Sequence, residues 1–429
     1  MFLALQKNKL QTFLVAGLML FSLTSVHTVL NTAKLSVLMD DLPGSIQGAK
    51  EYVIYVQCAL FMIFALLYRK EYLPHLMFGS VLVLLGAFVV FHLGVAQPPR
   101  QAAHGYFIMA QLWSPLSMSF LFWAVANQTF SWQDAKWAYP LLTLFSSLAV
   151  VLTTLFVNGL ASLRHLESPQ LFLTQTGYVL LGALILFTIA AFWAKGLGLH
   201  KGNVPDEVSL APQGGSPFVQ PALIFLTALS MGVCTRLLDT VFKVQFRLHE
   251  GVQALTYMRL MEIYGYATGG VGILLFVSTF WIIWRCGWLK GALVAPLFTV
   301  VSTVGVLICA QSSAGRGVLD FENMPLLLVI IGLQSMILKG LYVLFFATKE
   351  MAYIPMDGVM RVRAKLVIDF LCAGWALWLS DFVGQKIFTH LAHQQTQMFL
   401  GVIMMVSLVW VSSVFGLAKI LPDQKKPNA

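Results

Sequence analysis

The chain has 429 residues, of which 58% are apolar and only 10% are charged, and its formal net charge is +9. This composition excludes an ordinary soluble domain, in which about 25% of residues are charged. The basic residues are spread over many short polar segments and form no single stripe, so the positive charge does not indicate a nucleic-acid surface.

Long apolar runs recur along the whole chain. Each is about 17 to 25 residues long, enough for a helix to cross a hydrocarbon layer about 30 Å thick. Backbone N–H and C=O groups in lipid must be bonded within their own segment, so we expect helices. The sequence therefore predicts an all-α integral membrane protein with about twelve transmembrane helices. The predicted spans are residues 10–30, 52–68, 73–96, 105–128, 137–160, 170–198, 218–243, 255–284, 288–311, 324–347, 364–385 and 397–420.

The first span follows Lys7 and Lys9 and has the charge pattern of a secretory signal. Its apolar run is too long for the core of a signal peptide, however, and no small-residue cleavage site follows it. We therefore expect this segment to remain as a transmembrane helix. No Arg- and Ser-rich organelle presequence precedes it.

Lys and Arg residues are unevenly divided between alternate loops. If the N-terminus is cytoplasmic, about sixteen fall in inner loops and tails and about eight in outer loops. Because cytoplasmic loops of membrane proteins carry such an excess, we expect both termini to face the cytoplasm.

A polar stretch rich in Pro and Gly, residues 200–217, separates the sixth and seventh spans. We interpret it as a cytoplasmic linker between an N-terminal six-helix half, residues 1–199, and a C-terminal half, residues 218–429. Paired helical bundles that hold a substrate near the membrane midplane are typical of secondary transporters. By architectural analogy, the sequence predicts two six-helix bundles in a major-facilitator-like arrangement.

Three charged residues of the seventh span lie on one helical face. Arg236 and Asp239 are three residues apart, and Asp239 and Lys243 are four apart. A charged side chain within a span costs about 2.5 to 3.5 kcal/mol on insertion scales, so each needs a partner or a wet cavity. The pattern is typical of a cavity-facing site or, alternatively, of a structural ion pair inside the bundle.

Other spans carry further ionisable residues. Lys339 lies within the tenth span and should face protein, water or an anionic substrate, because lipid would expel it. Lys34 follows the first span, where snorkelling to the interface is an alternative to a functional role. Arg259 and Glu262 open the eighth span and are typical of a helix-end pair.

The densest polar segment is residues 347–369, in which cations and acids are interleaved. Such a segment is typical of an orientation signal or of a site that offers Lys and Arg to phosphate oxygens. Its charged residues are Lys349, Glu350, Asp357, Arg361, Arg363, Lys365 and Asp369.

No motif indicates an enzyme, a metal centre or a cofactor. The five cysteines are scattered through apolar segments without paired spacing, and His390 and His393 have no acid or cysteine in a zinc-binding pattern. A membrane enzyme such as a lipid-headgroup transferase would need clustered His and Asp at one interface, and the sequence has no such cluster. We therefore expect no catalytic residue, no bound metal and no cofactor.

One stretch carries a specific family resemblance. Residues 349–357, KEMAYIPMD, resemble the KEMAYIPLD signature of the nucleotide transporter family, the ATP/ADP translocases of plastids and obligate intracellular bacteria. Residues 361–369, RVRAKLVID, are similar to that family's KVKGKAAID. Residues 112–127 are similar to its ELWGS…LLFWGFAN, and the pair that starts at Gly287 echoes its FGW run. The resemblance thus touches both halves of the chain.

The resemblance implies a twelve-helix carrier that exchanges or imports nucleotides without hydrolysing ATP. It matches Lys34 to the lysine of the family's first-helix motif VLRDTKDTL and Lys349 to that of KEMAYIPLD. It also matches Asp239 and Lys243 to the acid and the lysine of LVEVTWK. Gln111 replaces the glutamate of ELW, and Asp239 is one methylene shorter than glutamate. These departures indicate a divergent member and leave the substrate open.

We hypothesise that the chain transports nucleotides, by ATP/ADP exchange or nucleotide import, through alternating access around a central basic cavity. The alternative is a carrier of another organic anion, such as NAD or a phosphorylated metabolite, with or without proton coupling. We expect a monomer in the bacterial inner membrane that binds lipid and the anion and no nucleic acid. Candidate substrate-binding residues are Lys34, Gln111, Arg236, Asp239, Lys243, Lys339, Lys349 and Glu350. Candidates for proton coupling are Asp239, Glu262 and Asp369, and candidates for stacking on a base are Trp113, Phe122 and Trp123.

Overall fold

The structure, a computed structural model, describes residues 7–38, 43–67, 73–94, 100–163, 169–197, 218–250, 254–311, 326–372, 374–376, 378–380, 382–383 and 395–421. Within these ranges nearly every residue is helical and none is in a strand, which confirms the all-α prediction. The predicted linker, residues 200–217, lies outside the described residues, as do His390 and His393.

The described chain forms helices in the order that the apolar runs predicted. The first six are α1 (Lys7–Leu38), α2 (Pro43–Leu67), α3 (Leu73–Gly94), α4 (Arg100–Trp113, a π-helical stretch Ser114–Phe122, and Trp123–Thr129), α5 (Trp132–Leu163) and α6 (Pro169–Gly196). The next six are α7 (Val219–Glu250), α8 (Ala254–Cys286), α9 (Trp288–Gln311), α10 (Leu326–Tyr353), α11 (Gly358–Lys365, continued by a π-helical stretch Leu366–Leu371) and α12 (Gln395–Ala418).

These helices have the length and composition of membrane spans. Among the described residues, nine helices are long and apolar enough to cross a membrane. Shorter apolar stretches, Tyr52–Leu66 and Met77–Leu93, lie in α2 and α3. The one remaining predicted span, residues 364–385, begins inside α11. The chain is therefore a multi-pass membrane protein with about twelve helices.

The chain divides into two compact units. Unit 1 comprises Met1–Ser209 together with Met356–Leu371, and unit 2 comprises Leu210–Pro355 together with Cys372–Ala429. Unit 1 thus contains α1 to α6 and also α11, whereas unit 2 contains α7 to α10 and α12. The predicted C-terminal half, residues 218–429, included α11, which the structure groups with the N-terminal helices.

Unit 1 is organised around α1, which packs against α4, α5 and α6. The indole Nε1 of Trp113 on α4 donates a hydrogen bond to the Leu23 carbonyl of α1 at 3.0 Å, which joins these two helices in the core. The π-helical stretches of α4 and α11 pack against each other, and α11 also packs on α2. Such π-helical stretches are frequent at functional sites.

In unit 2, α7 and α9 pack on α12, and α10 packs on α7, α8 and α9. Gly287 ends α8 with a φ of 84°, a left-handed conformation that favours glycine, so α9 begins at once at Trp288. The Trp288 indole then donates to the Thr348 carbonyl of α10 at 2.7 Å. This bond attaches the start of α9 to the end of α10, where residues 349–357 begin.

Candidate functional site

An ion pair joins α7 and α10 in unit 2. Lys339 Nζ lies 2.7 Å from Asp239 Oδ1. The lysine and aspartate side chains are 28% and 14% exposed, so the pair is partly open and not sealed in the core. Each charge offsets the cost of placing the other within a membrane span. The sequence predicted that Lys339 faces protein, water or an anionic substrate. In the structure its ammonium group faces a protein side chain, the carboxylate of Asp239.

A glycine beside Lys339 brings α10 close to α8. A Cβ atom at Gly340 would lie 2.5 Å from Val271 Cγ1 of α8, well inside van der Waals contact. A residue without Cβ is therefore required for this approach. The close packing of α8 on α10 fixes the backbone position of Lys339. The flexible side chain of Lys339 then reaches Asp239.

Arg236 lies one turn before Asp239 on α7 and is exposed. The sequence grouped Asp239 with Arg236 and Lys243 on one face of α7. The structure shows in addition a partner on another helix, Lys339, which helical spacing alone does not reveal. Arg236 and Lys339 together carry two positive charges against the one negative charge of Asp239, so this group favours an anion.

Lys349 and Glu350 form a second, buried ion pair in unit 2. Lys349 Nζ lies 3.0 Å from Glu350 Oε1 and 4.3 Å from the centroid of the Phe346 ring. The two side chains are only 4% and 0% exposed. Lys349 also lines a small internal cavity of unit 2 together with Trp288. Lys349 and Lys339 are about 15 Å apart along α10 at 1.5 Å per residue, so the structure does not bring these two cations together.

The downstream part of the polar segment starts α11 of unit 1. Asp357 accepts a hydrogen bond from the Val359 backbone N–H at 3.2 Å and caps the helix. Arg361 donates to the Asn127 carbonyl of α4 at 2.5 Å and to the Met356 carbonyl at 2.8 Å. Arg361 thus attaches α11 to the end of α4 within unit 1.

A third ion pair lies wholly in the core of unit 1. Lys365 Nζ lies 2.6 Å from Asp369 Oδ2, one turn further along α11, and both side chains are 0% exposed. The Gln57 amide of α2 donates to the next backbone carbonyl, that of Phe370. The sequence treated Lys365 as an inner-loop cation and Asp369 as a candidate for proton coupling. The structure gives Asp369 a buried counterion, and its role in coupling stays a prediction.

The aromatic residues predicted to stack on a base lie inside unit 1. Trp113, Phe122 and Trp123 are 1% to 2% exposed. Each ring contacts another aromatic ring of the same unit, with centroids 5.0 to 5.9 Å apart. These rings therefore contribute to the packing of unit 1 in this structure, and stacking on a substrate stays a prediction.

Several other candidates are placed only by their helices. Lys34 lies on α1, Lys243 on α7 and Glu262 on α8, and their side chains lie outside the described part of the chain. Gln111 lies on α4 and is half-buried. The participation of these residues in a site stays a prediction.

Sequence reasoning missed the neutral side chains that hold the end of α10. The Gln220 amide of α7 donates to the Ala352 carbonyl at 2.8 Å, and Trp288 donates to the Thr348 carbonyl. Their residue types do not show which backbone carbonyl of another helix they bond. The pairing of Asp239 with Lys339 had a signal in the sequence, because a charged side chain within a span needs a partner.

Solved structures with the same fold are membrane transporters. A bacterial homologue of the iron transporter ferroportin in the outward-facing state matches with a TM-score of 0.67 and 13% identity, over 96% of this chain and 100% of that one. A proton:xylose symporter of the major facilitator superfamily matches with a TM-score of 0.61 and 12% identity, over 97% of this chain and 96% of that one. At these identities the likeness shows the fold alone, and it confirms the major-facilitator-like prediction.

Proteins that are similar in sequence identify the family, whereas the solved structures show the fold alone. ADP,ATP carrier protein 1 of Chlamydia pneumoniae is 25% identical over 85% of this chain and 82% of its own length. ADP,ATP carrier protein 1 of Rickettsia bellii is 27% identical over 73% and 68%, and the plastidic ATP/ADP-transporter of Solanum tuberosum is 25% identical over 74% and 53%. Residues 102–194 and 215–420, well over half of the chain, match the model of the TLC ATP/ADP transporter family. The chain therefore belongs to the TLC ATP/ADP transporter family of multi-pass membrane proteins.

Proposed function

We propose that this protein carries adenine nucleotides or closely related phosphorylated anions across a membrane by alternating access through a central basic cavity. The observation that supports this most is the partly exposed pair of Asp239 and Lys339, with exposed Arg236 one turn away. Ionisable residues within spans are expensive and usually belong to a substrate or ion pathway. Carriers that are similar in sequence include the ADP,ATP carrier proteins of Chlamydia pneumoniae and Rickettsia bellii.

The charges of the site suit a polyphosphate. With Asp239 paired, the group of Asp239, Lys339 and Arg236 keeps one net positive charge. A phosphate oxygen that replaces the Asp239 carboxylate at Lys339 would form the same kind of charge-assisted hydrogen bond. We propose that Lys339 and Arg236 contact phosphate, and that Asp239 neutralises Lys339 when the site is empty. Lys34 and Lys243 are further candidate contacts.

The N-terminal helices add to the preference for anions. The helices α1, α3, α4 and α6 contain no Asp or Glu, and Gln111 occupies the position at which the resemblance implies a glutamate. They do contain Lys34 and four histidines. A negatively charged substrate would therefore meet no like charge on these helices.

Lys349 and Glu350 take a different role in this proposal. Their side chains are buried and pair with each other, and Lys349 also contacts the Phe346 ring. We propose that they position the end of α10 and do not contact phosphate in this conformation.

Uptake by proteoliposomes tests the proposal. Vesicles with the purified protein should take up labelled ATP or ADP, and internal unlabelled nucleotide should accelerate uptake if the carrier exchanges substrates. Asp239→Asn should lose uptake, whereas Val301→Ala, a change at a residue that is 69% exposed on α9, should keep it. The proposal is wrong if no nucleotide is taken up under any gradient and none raises the melting temperature of the protein.

A carrier of another organic anion is the alternative, and the uncharged Gln111 favours it. Competition of uptake by ATP, ADP, NAD and sugar phosphates distinguishes the two. The panel should show adenine nucleotides as the strongest competitors if the main proposal holds.

We also propose an orientation of the chain in the membrane, with both termini in the cytoplasm. The excess of Lys and Arg in alternate loops supports cytoplasmic termini, and the bacterial relatives support the cytoplasmic membrane of a bacterium. A reporter that is active only in the cytoplasm should be active when it is fused to either terminus. Light scattering in detergent should give the mass of a monomer.

A further inference from the structure

A buried histidine connects three helices of unit 1. His92 of α3 has its Nδ1 atom 2.9 Å from Thr176 Oγ1 of α6 and its Nε2 atom 2.7 Å from Tyr106 Oη of α4. The three side chains are at most 5% exposed. Both ring nitrogens therefore have a polar partner, and both partners are hydroxyl groups.

Hydroxyl partners allow the imidazole to exist in either charge state. A hydroxyl can donate or accept a hydrogen bond, whereas a carbonyl only accepts and an N–H only donates. A neutral His92 can accept from one hydroxyl and donate to the other, and a protonated His92 can donate to both. Both ring nitrogens thus have a suitable partner in either state, so the imidazole can gain and lose a proton while it keeps both hydrogen bonds.

The surrounding residues hold this geometry. The Phe91 ring stacks on Tyr106 with centroids 4.6 Å apart, and Phe88 packs edge-on against it at 5.7 Å. A Cβ atom at Gly177 would lie 2.7 Å from Leu93 Cδ2, so glycine permits α6 to approach α3 beside His92. The Tyr106 and Thr176 hydroxyls are thereby kept at the two ring nitrogens.

Two features of the surrounding helices bear on the charge of His92. His92 lies in the last turn of α3, where the helix dipole favours a cation. Among the described residues, α3 packs mainly against α4 and α6, and none of these three helices contains an acid that would trap the proton. Their other titratable or charged groups are Arg100 and His104 on α4, Tyr178 and Lys195 on α6, and His75 at the far end of α3.

We propose that His92, with Tyr106 and Thr176, is a proton-binding site that makes transport depend on pH. The inference rests on the proposed function, since it assigns the proton to the same carrier. A proton on His92 adds positive charge to helices that contain no acid and so favours entry of a polyanion. Histidine is suited to this role because its charge ordinarily changes between about pH 5 and 8.

Two measurements test the proposal. Nucleotide uptake by proteoliposomes should rise at least about threefold as external pH falls from about 8 to 5.5, and His92→Gln should abolish this rise. His75→Gln, a matched change at an exposed histidine of the same helix, should leave the rise intact. Tyr106→Phe removes one hydroxyl and should move the midpoint of the profile.

Nitrogen NMR of the labelled imidazoles in detergent, assigned with His92→Gln, should show the His92 signals shifting over the same pH range. Static His92 signals would overturn the proposal whatever uptake shows, and so would uptake whose pH profile is unchanged in His92→Gln. No uptake at any pH, with His92 titrating, would instead contradict the proposed function and leave the proton site standing.

Discussion

Asp239 and Lys339 lie on different helices of unit 2, and their charged atoms are 2.7 Å apart. The pair is partly exposed, whereas the two other ion pairs of predicted site residues in the described part of the chain are buried. A partly exposed pair is accessible to solvent, whereas a buried pair is not. The three pairs should therefore respond differently to substitution.

Removal of one member of the Asp239 and Lys339 pair should impair both stability and transport. Asp239→Asn or Lys339→Met leaves one charge uncompensated and should cost about 1 to 3 kcal/mol of unfolding free energy. The double variant Asp239→Asn, Lys339→Met should regain most of that stability, because neither member of the pair is left without its partner. Uptake should stay at least about tenfold below wild type in all three, since Lys339→Met removes a phosphate contact and Asp239→Asn removes the acid that neutralises the empty site. Recovery of uptake in the double variant would contradict the proposed role.

Lys339 and Lys349 should differ in nucleotide binding. Lys349→Met removes a buried positive charge and should lower the melting temperature, but the folded protein should still be stabilised by added ATP. Lys339→Met should lose most of that ATP-dependent increase. A thermal-shift titration in detergent measures both. An equal loss in the two variants would show that Lys349 also contacts phosphate.

Substitution within the Lys365 and Asp369 pair should change stability. Lys365→Met leaves a carboxylate in the core of unit 1 and should cost about 3 to 5 kcal/mol. The double variant Lys365→Met, Asp369→Leu should recover most of this loss, because well-packed apolar side chains often replace a buried pair without penalty. Denaturant unfolding in detergent gives the values. Equal destabilisation in the single and double variants would contradict this assignment.

A methyl group at Gly340 should disturb the packing of α10. The added Cβ would clash with Val271, so Gly340→Ala should cost about 1 to 3 kcal/mol and shift Lys339 away from Asp239. Gly305→Ala on α9 is the matched control, because nothing lies within 4 Å of its added Cβ. Thermal melts of both variants decide the point. A stable Gly340→Ala protein with normal uptake would show that α8 and α10 can separate there.

Much of the fold follows from the sequence because apolar run length predicts membrane helices directly. The number, order and approximate limits of the helices were predicted from this rule. The grouping of α11 with unit 1 was not predicted. It depends on contacts between residues that are distant in sequence, such as the hydrogen bond from Arg361 to Asn127.

The site was predicted less completely, because it too depends on contacts between residues that are distant in sequence. Helical spacing showed that Arg236 and Asp239 share a face, but only packing shows that Lys339 of another helix reaches Asp239. Composition also does not distinguish an exposed lysine from one that is buried beside an acid. Lys349 and Lys365 were both assigned to an inner loop, and both are buried.

The lack of acidic side chains on α1, α3, α4 and α6 has a consequence for what the protein excludes. A polyamine or a cationic drug would find no counterion on these helices and would be repelled by their lysines and any protonated histidine. If the proposed function holds, these four helices together set the sign of the transported solute, before any single contact chooses among anions.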